Sequence, residues 1–434
     1  MSPADAREDA LVWRGTTCLS RAQFLREAAA VAAQLPAGEH LVNLCERREE
    51  FMLAFAASVI GRRTQLLPAS RTPGALAELA ADFGQPASIR DEDIARWRAF
   101  PAGQDEVPAV IAEDHRTVVY GFTSGSTGKS QPHPKPWRML AASARLNAAS
   151  IRAALGLSGT APVSVVGTVP SHHMYGLELT VLLPLLSNMS VHAERPLFPA
   201  DVAEVLSQLS RPRVLVSTPL HLRALTESGL DFPAIDLIVS ATAPLDATLA
   251  RQVESCLGAP LLEMFGSTET LVFATRRTPL QEEFRLYEGV ELDTGPDSTG
   301  VNAAWYPGPQ RLQDVLERRG THGFVLLGRN SDLVEVAGKR ASLADITRRL
   351  CAINGVQDAV AFQPEASGSG AVNRVAAVVV SRELSARQIA DRLTASLDAV
   401  FVPRPLLLVP HIPRDALGKV SRAQLLELAR QTSQ

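Results

Sequence analysis

Residues 123 to 130 read Thr-Ser-Gly-Ser-Thr-Gly-Lys-Ser, a run of small hydroxylated residues and glycines that carries one ammonium and follows the apolar, β-branched stretch 117-TVVYGF. A loop of that make-up after a strand can turn successive backbone N–H groups toward an anion, with Ser and Thr hydroxyls beside them, and so hold a phosphate chain. The chemistry suggested is nucleotide binding. A Walker loop would need glycine five residues before Gly128, and that position is Thr123. A flexible Gly/Ser linker would not follow so apolar a strand. Lysine usage points to the same stretch: of 43 basic residues only Lys129, Lys135, Lys339 and Lys419 are lysines, in a chain that otherwise uses arginine. Lysine serves where a compact, mobile ammonium is wanted in place of a planar fork. The pair His172-His173 is not expected to bind a metal, because adjacent side chains on an extended segment face opposite ways and no third ligand is evident.

Five segments stand in a recognisable order: Thr123-Ser124-Gly125-Ser126-Thr127-Gly128, 170-PSHHMYGL, 264-MFGSTE, Gly328-Arg329 and 413-PRDALGKVSR. Together they resemble the motifs of the adenylate-forming superfamily, and the resemblance runs from residue 120 to 422. It implies a carboxylic acid attacking the α-phosphate of ATP, release of pyrophosphate, and transfer of the acyl group from AMP to a thiol. The loop from Thr123 to Gly128 would hold the β- and γ-phosphates with help from Lys129. Thr242, Met264, Phe265, Gly266 and Ser267 would line the nucleotide, Thr268 would touch phosphate, and Glu269 would help to hold Mg²⁺, a hard ion suited to carboxylate and phosphate oxygens. Asp314, fifteen residues before Arg329, would take the ribose hydroxyls, with Arg329 beside it. Lys419 matches the catalytic lysine, His173 the gate beside the acyl pocket, Gly176 the residue that leaves room for substrate, and Ser331 the hinge. A structural histidine is the rival reading for position 172.

The departures are specific. Gln131 stands where a phosphate-loop lysine is usual, Ser331 where Asp or Lys is usual, Leu312-Gln313 where Thr-Gly precedes the ribose Asp, and Ala241 and Thr242 where glycines are common. The stretch 123-TSGSTGKSQPHPKPW is similar to that of ligases which load acyl carrier proteins with aryl or acyl groups for aryl polyene or xanthomonadin-type pigments. The resemblance therefore implies a small aromatic acid such as a hydroxybenzoate, with an acyl carrier protein as acceptor. A ligase using free CoA and a non-catalytic nucleotide-binding relative are the alternatives.

These residues need a scaffold. Short apolar runs, 40-HLVNLC, 64-TQLLP, 163-VSVVGTV, 213-RVLVST and 235-IDLIVSA, alternate with longer periodic ones such as 49-EEFMLAFAASVIG, the pattern of α/β layers around largely parallel sheets. From about residue 329 the texture becomes a compact α+β set: 332-DLVEV, 358-DAVAF, 374-RVAAVVV and 406-LLLVP with helices between. That change puts a boundary at residue 329, and the resemblance implies 1–328 as a large N-terminal domain of layered α/β subdomains that binds ATP and acid, and 329–434 as a small mobile C-terminal lid carrying Lys419. Within the larger domain and closing it, 284–310 is expected to hold short strands and turns. Helix starts are expected where Ser precedes Gln or Asp by three: Ser20, Ser342, Ser385 and Ser421.

The chain has 434 residues, 46% apolar and 21% charged, with a formal charge of −3, too large for one core and without a general attraction to nucleic acid or anionic membrane. Its N-terminus lacks a signal-peptide core and its apolar stretches are too short to span a bilayer, so a cytoplasmic place is expected. Cys18, Cys45, Cys256 and Cys351 show neither disulfide nor zinc spacing and are expected to be buried free thiols.

Overall fold

The computed structural model describes residues 9–432 apart from 69, 100–108, 125–129, 296–298, 330–332, 337–338, 365–373, 395–396, 415–419 and 421. Two sheets carry the bulk of it. The larger has eleven described strands in the order Asp314–Arg319, Gly323–Arg329, Phe284–Leu286, Leu271–Arg276, Leu261–Ser267, Leu237–Ser240, Arg213–Ser217, Val163–Gly167, Met189–His192, Ala10–Arg14 and Thr17–Ser20. From Leu261–Ser267 across to Ala10–Arg14 all neighbours are parallel. Strand Arg213–Ser217 shows why the pattern is an unbroken apolar run. Val214 and Val216 join one core and Leu215 between them joins another, so both faces are covered and the three central positions are all apolar.

The smaller sheet has five described strands ordered Ala87–Ile89, His40–Asn43, Thr64–Leu67, Thr117–Ser124 and Ser130–Pro136. The first four run parallel and the last returns antiparallel as the edge. That edge strand reads SQPHPKP. Its prolines at 132, 134 and 136 have no N–H to offer and suit the unpaired side of an edge, while Gln131, His133 and Lys135 share the other register. The layered α/β expectation is met, and so are the strands expected at 40, 64, 163, 213 and 235. The stretch 284–310 forms short strands, three of which, Glu291–Thr294, Thr299–Asn302 and Gln310–Leu312, make a small sheet of their own.

Residues from 334 onward build two cores on either face of the strands Asp358–Phe362, Ala376–Val380 and Leu406–Leu408. Helix Leu343–Cys351 begins where Ser342 accepts from Asp345 N, and Ser385 and Gln388 cap each other reciprocally, as their spacing predicts. Ser20 likewise accepts from Gln23 N, whereas Ser421 lies outside the described residues. The four cysteines are free, but only Cys45 is buried. Cys256 is exposed because helix Ala247–Leu257 buries Leu249, Ala250, Val253 and Leu257 at helical spacing and leaves 256 on the water side. Among the described residues no helix is long and apolar enough to cross a membrane.

One buried side chain ties the two sheets together. Arg48 opens the crossover helix Arg48–Ile60 of the smaller sheet and is 2% exposed. Its guanidinium donates to Gly167 O and His192 O at 2.7 Å each, and to Glu194 O and Val169 O, at the carboxyl ends of two central strands of the larger sheet. Gly167 is required there, since a Cβ would fall 3.0 Å from Arg48 Nη2 and 2.6 Å from Thr180 Cγ2. Burial lowers the Arg48 pKa to about 9, yet its carbonyl acceptors keep the group useful in place. Replacing Arg48 by Met should cost about 3 kcal/mol or more, because several buried carbonyls lose their donor together. The exposed Arg96, 64% accessible and paired with Asp93, should change stability by no more than about 0.5 kcal/mol on the same substitution. Denaturant midpoints of the two variants at unchanged slope provide the check.

Candidate active site

The hydroxyl-rich segment is flanked by two paired strands. Strands Thr117–Ser124 and Ser130–Pro136 pair with Thr123 opposite Gln131 and Ser124 opposite Ser130. Gly125, Ser126, Thr127, Gly128 and Lys129 between them lie outside the described residues. A strand, not a helix, follows the loop, which agrees with the exclusion of a Walker loop from spacing. Thr123 Oγ1 and His133 Nε2 are 2.8 Å apart, and His133 Nε2 stands 3.6 Å from Glu269 Oε1. Burial moves the His133 pKa down from its ordinary value against the pull of Glu269.

Glu269 belongs to the turn that joins strands Leu261–Ser267 and Leu271–Arg276 of the larger sheet, so this contact brings two sheets to one place. The approach is close because Gly121 has no side chain. A Cβ there would lie 3.0 Å from Thr268 Cγ2 and 3.1 Å from Met174 Sδ. The turn itself is tight: a Cβ on Gly266 would lie 2.2 Å from Leu271 O, Leu271 has φ of 60°, and Ser267 and Thr270 exchange side-chain and backbone hydrogen bonds. The structure thus brings Thr123, Thr268 and Glu269 together as the motifs imply.

Lys135 does something the sequence did not show. It is 1% exposed, and its Nζ donates to the backbone carbonyl of Glu269 at 3.0 Å. Burial lowers its pKa to about 8, opposed by Glu269 and Glu178. Glu178, 2% exposed, opens a π-helical turn, Glu178–Leu182. Its carboxylate accepts from Ser143 Oγ at 2.5 Å, Asn147 Nδ2 at 3.4 Å and Val272 N at 2.9 Å. Burial nevertheless raises its pKa to about 7. Sequence reasoning passed over Glu178, although a lone acid inside the apolar run 174-MYGLELTVLLPLL was a signal that it had buried partners.

The histidine pair departs from expectation. Ser171 to His173 form a turn, not an extended segment, and the two rings lie together, centroids 4.5 Å apart. Among the described residues no cluster of three or more His, Cys, Asp or Glu could hold a metal. His173 caps the helical turn Met174–Leu177, and Tyr175 OH fastens that turn to Ser217 O and Val239 O on the central strands. The room left by the missing Cβ of Gly176 is taken by Pro170 O, 2.0 Å from where a Cβ would stand.

At the carboxyl end of strand Leu237–Ser240, Ser240 Oγ and Thr242 Oγ1 are buried with no hydrogen-bond partner, and Thr242, β-branched, has φ of 81°. Unpartnered hydroxyls and backbone strain at the end of a parallel strand fit a site that a polar ligand completes. Met264 is buried beneath, and Phe265 packs on Phe273, Phe284 and Phe324 with ring centroids 5.5, 5.2 and 5.4 Å away. Asp314 and Arg329, fifteen residues apart in sequence, are directly opposite in the antiparallel pair Asp314–Arg319 with Gly323–Arg329. Ser331 and Lys419 lie outside the described residues.

Residues 65–292, more than half of the chain, match the model of the family described as AMP-binding enzyme. The chain belongs to the AMP-binding enzyme family. Among curated relatives, it is 32% identical over 235 residues to a 4-coumarate–CoA ligase of Rhodobacter capsulatus, covering 54% of this chain and 58% of that one. It is 28% identical to a 4-coumarate–CoA ligase of Halorhodospira halophila over 71% of this chain and 76% of that one. A 4-chlorobenzoate–CoA ligase of an Arthrobacter species is 26% identical over 76% of this chain and 67% of that one. The fold matches ATP-bound MatB from Rhodopseudomonas palustris at a TM-score of 0.82, with 17% identity and 99% and 97% of the two chains covered. It also matches o-succinylbenzoate CoA synthetase from Bacillus subtilis with its acyl-adenylate at 0.79, with 16% identity and 96% and 95% coverage. This AMP-binding enzyme therefore has the α/β adenylate-forming fold, and it is an acid–thiol ligase of the AMP-forming class.

Fitted to that family, the site offers one carboxylate for a divalent cation, Glu269, among hydroxyls. Mg²⁺ is bound through one or two carboxylates plus phosphate oxygens, so this donor set suits it.

His172 yields a pH prediction. Burial first, then Arg71, His173 and Arg195, lower its pKa to about 3 from 6.5. The unfolded chain thus binds this proton between those values and the native one does not, so its contribution to stability is intact above pH 6.5 and lost as pH falls toward 3. His172→Gln should flatten unfolding free energy against pH in that window by up to about 1.4 kcal/mol per pH unit, one proton's worth. Denaturant titrations at several pH values measure the slope.

Proposed function

We propose that this AMP-forming ligase activates a small aromatic carboxylic acid, such as a hydroxybenzoate, with ATP and passes the acyl group to a phosphopantetheine thiol. The observation that carries the reading is the meeting of the Thr123 hairpin with Thr268 and Glu269, in a chain of the AMP-binding enzyme family. A carboxylate oxygen attacks the α-phosphorus, the new O–P bond forms as the bond to the β-phosphate bridge breaks, and pyrophosphate leaves. The thiol sulfur then attacks the acyl carbon, AMP leaves, and the thiol proton goes to solvent.

In this reading Thr123, Ser124, Gly125, Ser126, Thr127, Gly128 and Lys129 hold the β- and γ-phosphates, and Thr268 adds a hydroxyl. Glu269 is the protein ligand for Mg²⁺, which when bound neutralises charge on the phosphates. Thr242, Met264, Phe265, Gly266 and Ser267 line the nucleotide, with Asp314 on the ribose and Arg329 next to it. His173 and Gly176 border the acid. Lys419 places one ammonium between carboxylate and α-phosphate, where two anions must meet and donors set in advance are worth most. Residues 1–328 bind ATP and acid, and 329–434 form the lid that carries Lys419 and turns about Ser331.

The aromatic acid finds support in the 4-coumarate and 4-chlorobenzoate names among the relatives. For the acceptor, the similarity of 123-TSGSTGKSQPHPKPW to ligases of aryl polyene or xanthomonadin-type synthesis favours an acyl carrier protein in the cytoplasm. The CoA ligase names favour free CoA as the second reading.

Acid-dependent exchange of labelled pyrophosphate into ATP is expected with at least one hydroxylated aromatic acid, and no exchange with any acid at saturating ATP would overturn the activity. Lys419→Ala should slow exchange by about 100-fold or more while ATP affinity stays within about threefold. Acyl transfer to pantetheinylated carrier protein or to CoA, measured side by side, separates the two acceptors.

A further inference from the structure

Three successive stretches of the Ser267–Val272 turn are each gripped by a buried side chain from a different part of the fold. Lys135 Nζ, on the edge strand of the smaller sheet, donates to Glu269 O at 3.0 Å. Tyr306 OH donates to Thr270 O at 3.0 Å. Glu178, in the π-helical turn, accepts from Val272 N at 2.9 Å. All three side chains are buried, at 1%, 4% and 2% exposure. Glu178 is further fixed by Ser143 and by Asn147, which in turn accepts from Tyr287 OH at 2.8 Å. The two residues of the turn left to face the hairpin are Thr268, whose methyl packs at Gly121, and Glu269, whose carboxylate stands by His133.

We propose that Lys135, Tyr306 and Glu178 form a buried clasp that presets this turn, so that Glu269 and Thr268 meet the triphosphate and its divalent cation without rearrangement, with Lys135 as the positioning residue that acts through Glu269. Lys135 is buried, with its ammonium on the backbone carbonyl of Glu269. It holds the peptide next to the carboxylate, and Glu269 first, then Glu178, favour the charged form of the buried ammonium against its desolvation. The inference rests on the acid-activating reading given above, but its test stands apart from that activity.

The test is binding of Mn²⁺ in the presence of a non-hydrolysable ATP analogue, followed by electron paramagnetic resonance, with Mg²⁺ titration of pyrophosphate exchange alongside. Lys135→Met should weaken the cation at least tenfold while exchange at saturating Mg²⁺ falls less than threefold. Should that variant fold poorly, Lys135→Met with Glu178→Gln removes both buried charges, and the same tenfold loss is expected. In a Glu269→Gln background, Lys135→Met should add less than twofold, because its effect runs through that carboxylate. Leu140→Ala, a core truncation outside the clasp, should leave cation affinity as in the parent. Parent-like cation affinity in the Lys135 variants, an equal loss in Leu140→Ala, or full additivity with Glu269→Gln would overturn the clasp. A parent that binds Mn²⁺ with nucleotide yet exchanges with no acid would count against the activity alone.

Discussion

The close approach of the Glu269 turn to the Thr123 hairpin is the constraint on which the rest depends. The two belong to different sheets, and nothing in the hydrogen-bond ladders of either sheet holds them together. Three absences and one presence do. Gly121 and Gly266 omit side chains that would push the strands apart, and Gly167 makes way for the guanidinium that staples the sheets at their carboxyl ends. Lys135 then crosses the gap, donating from the hairpin to the turn.

Burying that donor is costly in itself, since taking an ammonium and a carboxylate out of water is offset only by good geometry and saturated hydrogen bonding. Apolar residues would be cheaper in stability but could not grip a carbonyl. The network around Glu178 brings a hydroxyl, an amide and a backbone N–H to its Oε2, which is what keeps a buried carboxylate from becoming a defect. Burial pulls Lys135 down and Glu178 up toward each other, so desolvation is the dominant effect on both. The aromatic set around Phe265 and the buried Met264 give the turn a rigid base on its other side.

Much of this was legible in the residues. Short apolar runs such as 214-VLV and 237-LIV announced strands covered on both faces, and Ser20, Ser342 and Ser385 marked helix starts through their own hydroxyls. Thr123, Thr268 and Glu269, grouped by motif order, lie near one another in the fold, and the spacing of Asp314 and Arg329 is that of a cross-strand pair. What the sequence hid was three-dimensional. The return strand SQPHPKP defies the usual strand composition because its prolines sit on an edge. The histidine rings lie together because a turn, not a strand, carries them. Lys135, Glu178 and Arg48 owe their roles to partners more than ninety residues distant, and no local pattern reports a partner that far away.

The most direct test of the account is amide hydrogen exchange, followed by mass spectrometry, with and without ATP and Mg²⁺. Slower exchange is predicted in peptides covering 117–136 and 264–273 together, since one ligand is held by both. Protection of either segment without the other, or of neither at saturating nucleotide, would contradict it.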